Sequence, residues 1–187
     1  MIGELPVSLC IDGVEHEIRT DYRDILNILV ASNDPDLKEN EKMVVALTIF
    51  YKNIDFINDS NIEEAVMEMN RFIDCGEDEE ENARTGIRLF DWEQDEQIIF
   101  SAVNKVAGHE VRQDEYLHWW SFIAYFCEIG EGTFATIVAI RDKKKRGKRL
   151  DGFEKRFYRQ NMAKVNLKKK YSKEQQDEMD RINKMFE

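Results

Sequence analysis

Tyr116-Leu117-His118-Trp119-Trp120-Ser121-Phe122-Ile123-Ala124-Tyr125-Phe126 is the stretch on which the fold turns. It holds no residue of fixed charge, and its apolar side chains fall on every face of a helix. A helix apolar all round is normally buried in the middle of a bundle. The segment Tyr116 to Ile129 therefore predicts a central helix ended by Gly130, with Leu117, Trp119, Trp120 and Ile123 as structural core.

Helix signals continue on the N-terminal side. Thr20 is placed to cap a helix carrying Ile25, Ile28 and Leu29, which Asp34-Pro35 breaks. A second apolar run, Met43 to Tyr51, follows. Ser60-Asn61-Ile62-Glu63 fits a capping box, in which Ser and Glu satisfy each other's free backbone N–H groups. Behind it Ile62, Val66, Met69 and Ile73 mark one face, and Cys75-Gly76 ends the helix. Residues 77–82 form a dense acidic run, read as a solvated loop because the ligand spacing of a calcium loop is missing. Asp91, with Gln94 three residues on, is placed to cap a helix of Ile99, Ala102, Val103 and Val106 that Gly108 closes.

The first twenty residues differ. Leu5, Val7, Leu9 and Ile11 alternate with Pro6, Ser8, Cys10 and Asp12, and Val14, His16 and Ile18 resume the alternation. Asp12-Gly13 between them is a two-residue hairpin signal, because a type I′ turn needs positive φ at both positions. A lone hairpin is marginal in water, so its apolar face is expected on the helices or on a partner.

Beyond the central helix, Thr133 is placed to cap a short helix with Phe134, Ile137, Val138 and Ile140. Residues 141–170 then hold 14 Lys or Arg against 3 Asp or Glu, in a chain whose net charge is −11. Arg141, Lys143, Lys144, Lys145, Arg146, Lys148 and Arg149 read as an exposed loop or helix end. A helical stretch from Phe153 to Val165 follows, with Phe153, Phe157 and Tyr158 at core-facing spacing. Ser172 and Gln175 suggest the cap of a terminal helix with a weak apolar stripe of Met179, Ile182, Met185 and Phe186. The expected fold class is mainly α: a helical bundle around a buried central helix, with an N-terminal β-hairpin. Residues 1–165 form one domain in this reading, and 166–187 a loosely docked helix or one that orders on a partner.

The chemistry that can be excluded is broad. No apolar run reaches the roughly 18 residues of a membrane span, and the start lacks the basic and apolar regions of a secretion signal. Cys10, Cys75 and Cys127 are odd in number and far apart, as expected of reduced thiols in a cytoplasmic protein. There is no P-loop or GxGxxG, and Gly130-Glu131-Gly132 reads as a tight turn. His16, His109 and His118 lack zinc spacing. His118 is read as a histidine hydrogen-bonded within the bundle rather than a general base. Asp91 and Asp95 share a helical face, as an acid/base or metal pair would, but such pairs arise by chance among 38 acids. No catalytic, metal or cofactor residue is assigned, and no enzyme activity is expected.

Several segments together resemble the gene-product-fifteen family of long-tailed phages and prophages of Gram-positive bacteria. They are Leu5-Pro6-Val7-Ser8-Leu9, Thr20-Asp21-Tyr22-Arg23, Phe72-Ile73-Asp74-Cys75-Gly76, Phe90-Asp91-Trp92-Glu93-Gln94-Asp95, Leu117-His118-Trp119-Trp120-Ser121-Phe122 and Ile140-Arg141. The resemblance runs to about Tyr158, and His-Trp-Trp is its most specific part. Genes of that family usually lie between those for the major tail protein and the tape-measure protein. The resemblance therefore implies a tail assembly chaperone, binding tape-measure and major tail protein in the host cytoplasm and leaving before the virion matures. Contact through the basic run 141–149 and the stripe Met179, Ile182, Met185 and Phe186 is the expectation. Two alternatives stay open: a nucleic-acid-binding phage protein using the basic run, and a structural tail component retained in the virion. The acidic chain opposes long-range attraction to nucleic acid, so nucleic acid is not the expected partner.

Overall fold

A computed structural model of the chain describes residues 3–76 and 88–185. Among the described residues the fold is mainly α: a two-stranded antiparallel hairpin precedes nine α-helices. Strands β1 (Ser8–Ile11) and β2 (Val14–Glu17) pair in the register Ser8↔Glu17 through Ile11↔Val14. Only Asp12 and Gly13 lie between the strands, with φ of 51° and 76°. Both angles are positive, as the type I′ turn demands.

Three helices follow: α1 (Tyr22–Ser32), α2 (Glu39–Phe50) and α3 (Ile62–Ile73). The caps differ from those expected. Asp21, not Thr20, accepts from the Arg23 N–H at the start of α1. Thr20 instead hydrogen-bonds the Tyr116 hydroxyl at 2.6 Å. Ser60 and Glu63 form no capping box. The Ser60 hydroxyl donates to Asn58, and α3 opens one residue later at Asn61. The C-terminal signals agree with the sequence, since Gly76 at φ 83° donates to the Arg71 carbonyl beyond α3.

Next come α4 (Glu96–Ala107), α5 (Trp119–Cys127) and α6 (Thr133–Lys145). Asp91 caps a turn rather than α4 itself: its carboxylate accepts from Glu93 and Gln94, and the helix opens after Asp95. Gly108, at φ 80°, closes α4. The helix α6 opens after Gly132, with Thr133 already inside it, and continues through the first half of the basic run. Then α7 (Gly152–Gln160), α8 (Met162–Val165) and α9 (Lys173–Met185) complete the chain. Asp151 and Glu154 form a full capping box on α7, and Ser172 and Gln175 one on α9. The acidic run 77–82 lies outside the described residues.

One core joins the hairpin to α1–α5. Ile11, Ile25, Phe50, Phe72, Ile99, Val103 and Phe122 are buried in it. Tyr22 stacks on Phe122 with ring centroids 4.6 Å apart. A smaller cluster of Ile137, Ile140 and Val165 joins α6 to α8. The helix α5 departs from the expectation of burial on every face. Trp119 and Phe122 are fully buried, Leu117, Trp120 and Ile123 half-buried, and Ala124 and Cys127 exposed. Its start is pinned between other elements. The Tyr22 N–H donates to the Leu117 carbonyl and the Trp119 N–H to the Thr20 carbonyl. The indole N–H of Trp119 donates to Ile73 O at 2.8 Å and that of Trp120 to Phe72 O at 2.9 Å. Those carbonyls belong to the last turn of α3, where the helix runs out of donors, and Phe72 O accepts from the Cys75 N–H as well. The tryptophan pair thus closes α3 as well as filling the core.

Candidate functional site

The residues singled out from sequence fall into three places. Arg141 lies in the interior, only 4% exposed, which corrects its placement on an exposed basic run. Its guanidinium forms a bidentate pair with the buried Asp95 at 2.5 and 2.9 Å. The remaining donors reach the carbonyls of Val165, Lys164 and Leu89 at 2.6–3.0 Å. All five N–H groups of the fork are thereby used. Arg141 holds the start of α4, the middle of α6 and the end of α8 together, and it is withdrawn from partner binding.

Most of the remaining basic run is engaged at home. Lys143 pairs with Glu154 at 2.6 Å, and Lys144 lies over the Tyr158 ring and donates to Asn166. Lys145 donates to the Arg88 carbonyl, and Arg146 pairs with Asp142 at 2.6 Å. Lysines in the last turn of α6 also suit the negative end of its dipole. Lys148 and Arg149 form no ion pair with another described residue, and both are exposed. Phe153 does not face the core as its spacing predicts; it is 61% exposed, with Phe157 and Tyr158 partly buried beside it.

The third place is α9. None of its residues is buried, and Met179, Ile182 and Met185 are exposed along it. Phe186, the last residue of the expected stripe, lies outside the described residues. The segment before α9 crosses the body as a strap. Gln94 exchanges hydrogen bonds with Asn166 O and Lys168 N, Lys170 pairs with Glu93 and Asp91, and Lys173 N–H donates to Asp36 at 2.7 Å.

Beside this strap lies a surface that the sequence reading missed. An open groove of about 410 Å³ runs between α1 and α4. Its floor is apolar, from Leu26, Val30, Trp92 and Phe100, and its rim carries Arg23, Arg112, Glu93 and Glu96. The signal was present in α1. Ile25 and Ile28 are buried, and Leu26, Leu29 and Val30 widen the apolar face beyond what one neighbour covers. An apolar groove with a charged rim can receive one face of an amphipathic helix.

Arrangements for chemistry are sparse. Both ring nitrogens of His118 are engaged: Nδ1 accepts from the Trp120 N–H, and Nε2 lies 3.0 Å from Pro6 O. His109 contacts Asp114 at 2.9 Å, and this bond, helped by the Ala107 carbonyl, raises its pKa. Glu110, bound by the Arg112 guanidinium, is lowered to about 2. Among the described residues no group of three or more His, Cys, Asp or Glu could hold a metal ion, and no helix is long and apolar enough to cross a membrane.

The family model described as bacteriophage Gp15 protein matches residues 1–167 of the chain. No curated protein and no solved structure matches it. The hairpin, α1–α8 and the groove lie within the matched residues, and α9 lies beyond them.

Proposed function

The chain belongs to the bacteriophage Gp15 protein family, and from that premise we propose that it is a tail assembly chaperone. The family marks a phage protein of the structural or tail-related kind. In the proposed role the protein is non-enzymatic and binds the tape-measure protein, with the major tail protein as second partner, in the cytoplasm of the host. A tape-measure helix is long and amphipathic and exposes apolar surface until it is covered. The observation that carries the reading is the apolar α1–α4 groove, of a form suited to one face of such a helix. The exposed stripe of α9 supplies a second apolar contact. The acidic charge of the chain helps keep a complex with an aggregation-prone client in solution.

The alternative of nucleic-acid binding draws little support from the basic run. Arg141 is buried, and Lys143, Lys144, Lys145 and Arg146 have partners within the fold.

Co-expression with the tape-measure and major tail proteins of the same genome, followed by purification on a tag carried by this chain, tests the proposal. Co-purification of a soluble tape-measure protein is expected. Recovery of the chain alone, with the tape-measure protein insoluble, contradicts it. Recovery of the chain from finished particles would favour a structural tail component instead.

A further inference from the structure

Two helix faces away from the groove stay uncovered, and they carry opposite charge. In α7 the buried Glu154 and the partly buried Phe157 and Tyr158 turn toward the body, so Phe153, Lys155, Arg156 and Arg159 share the outer face. Phe153 is 61% exposed there. The three cations are exposed as well, and none forms an ion pair with another described residue. On α3 the buried side is Ala65, Met69 and Phe72, and Met67 on the outer side is 59% exposed. Glu63 and Glu64 lie one turn before Met67, with Glu68 next to it in the chain. Against these three acids α3 carries only Arg71, and no other described helix is as acidic. The hairpin turn, whose Asp12 N–H donates to Glu64, brings a further carboxylate beside this face.

Neither face covers the other within one chain. The helix α3 packs on α2 and β1, and α7 on α6 and α8, while Met67 and Phe153 both remain exposed. Between copies, α7 against α7 would set cations against cations, and α3 against α3 acids against acids. Only α7 on α3 brings opposite charges together, around a contact of a thioether with an aromatic ring. The net charge of −11 opposes association at long range only. At about 0.15 M salt the Debye length of about 8 Å screens that repulsion and leaves pairs in contact attractive.

We propose that the outer face of α7 docks on the outer face of α3 of a second copy of this chain, Phe153 against Met67, with Arg156 and its neighbouring cations facing Glu63 and Glu64. None of these residues lines the α1–α4 groove, so this contact and client binding succeed or fail separately.

Sedimentation velocity of the full-length chain, without any client, over a range of concentrations at about 0.15 M salt tests it. Self-association that reverses on dilution is expected. Phe153→Asp and Met67→Asp, both at exposed positions, are each expected to weaken it at least tenfold. Mixing these two variants is expected to give a 1:1 dimer, because the first keeps its α3 face and the second its α7 face. Arg156→Glu is expected to weaken association too, and addition of Glu63→Arg to the same chain to restore it. A parent chain that is monomeric at every concentration overturns the proposal. Association indifferent to Phe153→Asp or Met67→Asp, a mixture of the two that stays monomeric, or an Arg156→Glu defect that Glu63→Arg leaves unrepaired overturns it as well.

Discussion

Arg141 has every donor of its guanidinium paired inside the protein, two on Asp95 and three on backbone carbonyls, of Leu89 and of Lys164 and Val165 in α8. Removing one partner of a buried pair strands the other charge, at a cost of about 3–5 kcal/mol. Arg141→Met is expected to lose that much in urea denaturation. The double variant with Asp95→Leu should recover part of it, because the stranded carboxylate is then gone. A double variant no more stable than Arg141→Met would contradict the pairing. The pair was hidden in the sequence because its members are 46 positions apart and Arg141 opens a run of exposed cations. At the surface, the Asp114 bond raises the His109 pKa above the ordinary 6.5. A folded-state value above the unfolded one gives a stabilising contact that is complete below pH 6.5 and is lost as pH rises through the raised value. Asp114→Asn should return the His109 titration toward the ordinary value, as NMR of the imidazole would show.

At the scale of elements, local chemistry was legible and competition between neighbours was not. Asp12-Gly13 gave the hairpin, and Ser172 with Gln175 gave the cap of α9, because each signal acts within a few residues. Thr20 was the cap expected for α1, and tertiary contacts move the role one residue on: Tyr116 takes the threonine hydroxyl, while Asp21, which caps the helix, also accepts from Leu117 N–H. Ser60 lost its helix to the Asn58 and Asn61 side chains, which bind the turn before it. Arg19 was invisible as a cap, since its guanidinium reaches the carbonyls of Thr48, Ile49 and Tyr51 at the end of α2, some thirty positions away. The groove was half legible: the wide apolar face of α1 is in the sequence, but the partial cover by α4 is a matter of packing. A direct check on the hairpin follows. Gly13→Val forces a β-branched residue to φ 76° and should cost about 1–2 kcal/mol. Gly130→Ala, at a glycine with open space and no positive φ, should change stability by less than about 0.5 kcal/mol. Equal effects of the two in thermal denaturation would contradict the type I′ turn.

Across the whole molecule, charge is sorted so that the basic run mostly answers to the protein's own acids and carbonyls, and Lys148 and Arg149 remain at the surface. With a net charge of −11, the protein is expected to show no binding to duplex DNA by fluorescence anisotropy at about 0.15 M salt. Salt-dependent binding that Lys148→Glu and Arg149→Glu abolish would instead revive the nucleic-acid reading. Apolar surface is distributed as well: the aromatic core closes the body, and the groove floor and the α9 stripe are among the apolar surfaces that remain open. In the proposed role this groove would receive an amphipathic helix of the tape-measure protein. Calorimetric titration of the purified chain with helical segments of that protein, repeated at several temperatures, tests it most directly. Saturable binding with a negative heat-capacity change, the mark of buried apolar surface, is expected, with at least a tenfold loss for Val30→Lys on the groove floor. No binding by any segment, or binding that Val30→Lys leaves unchanged, would contradict it.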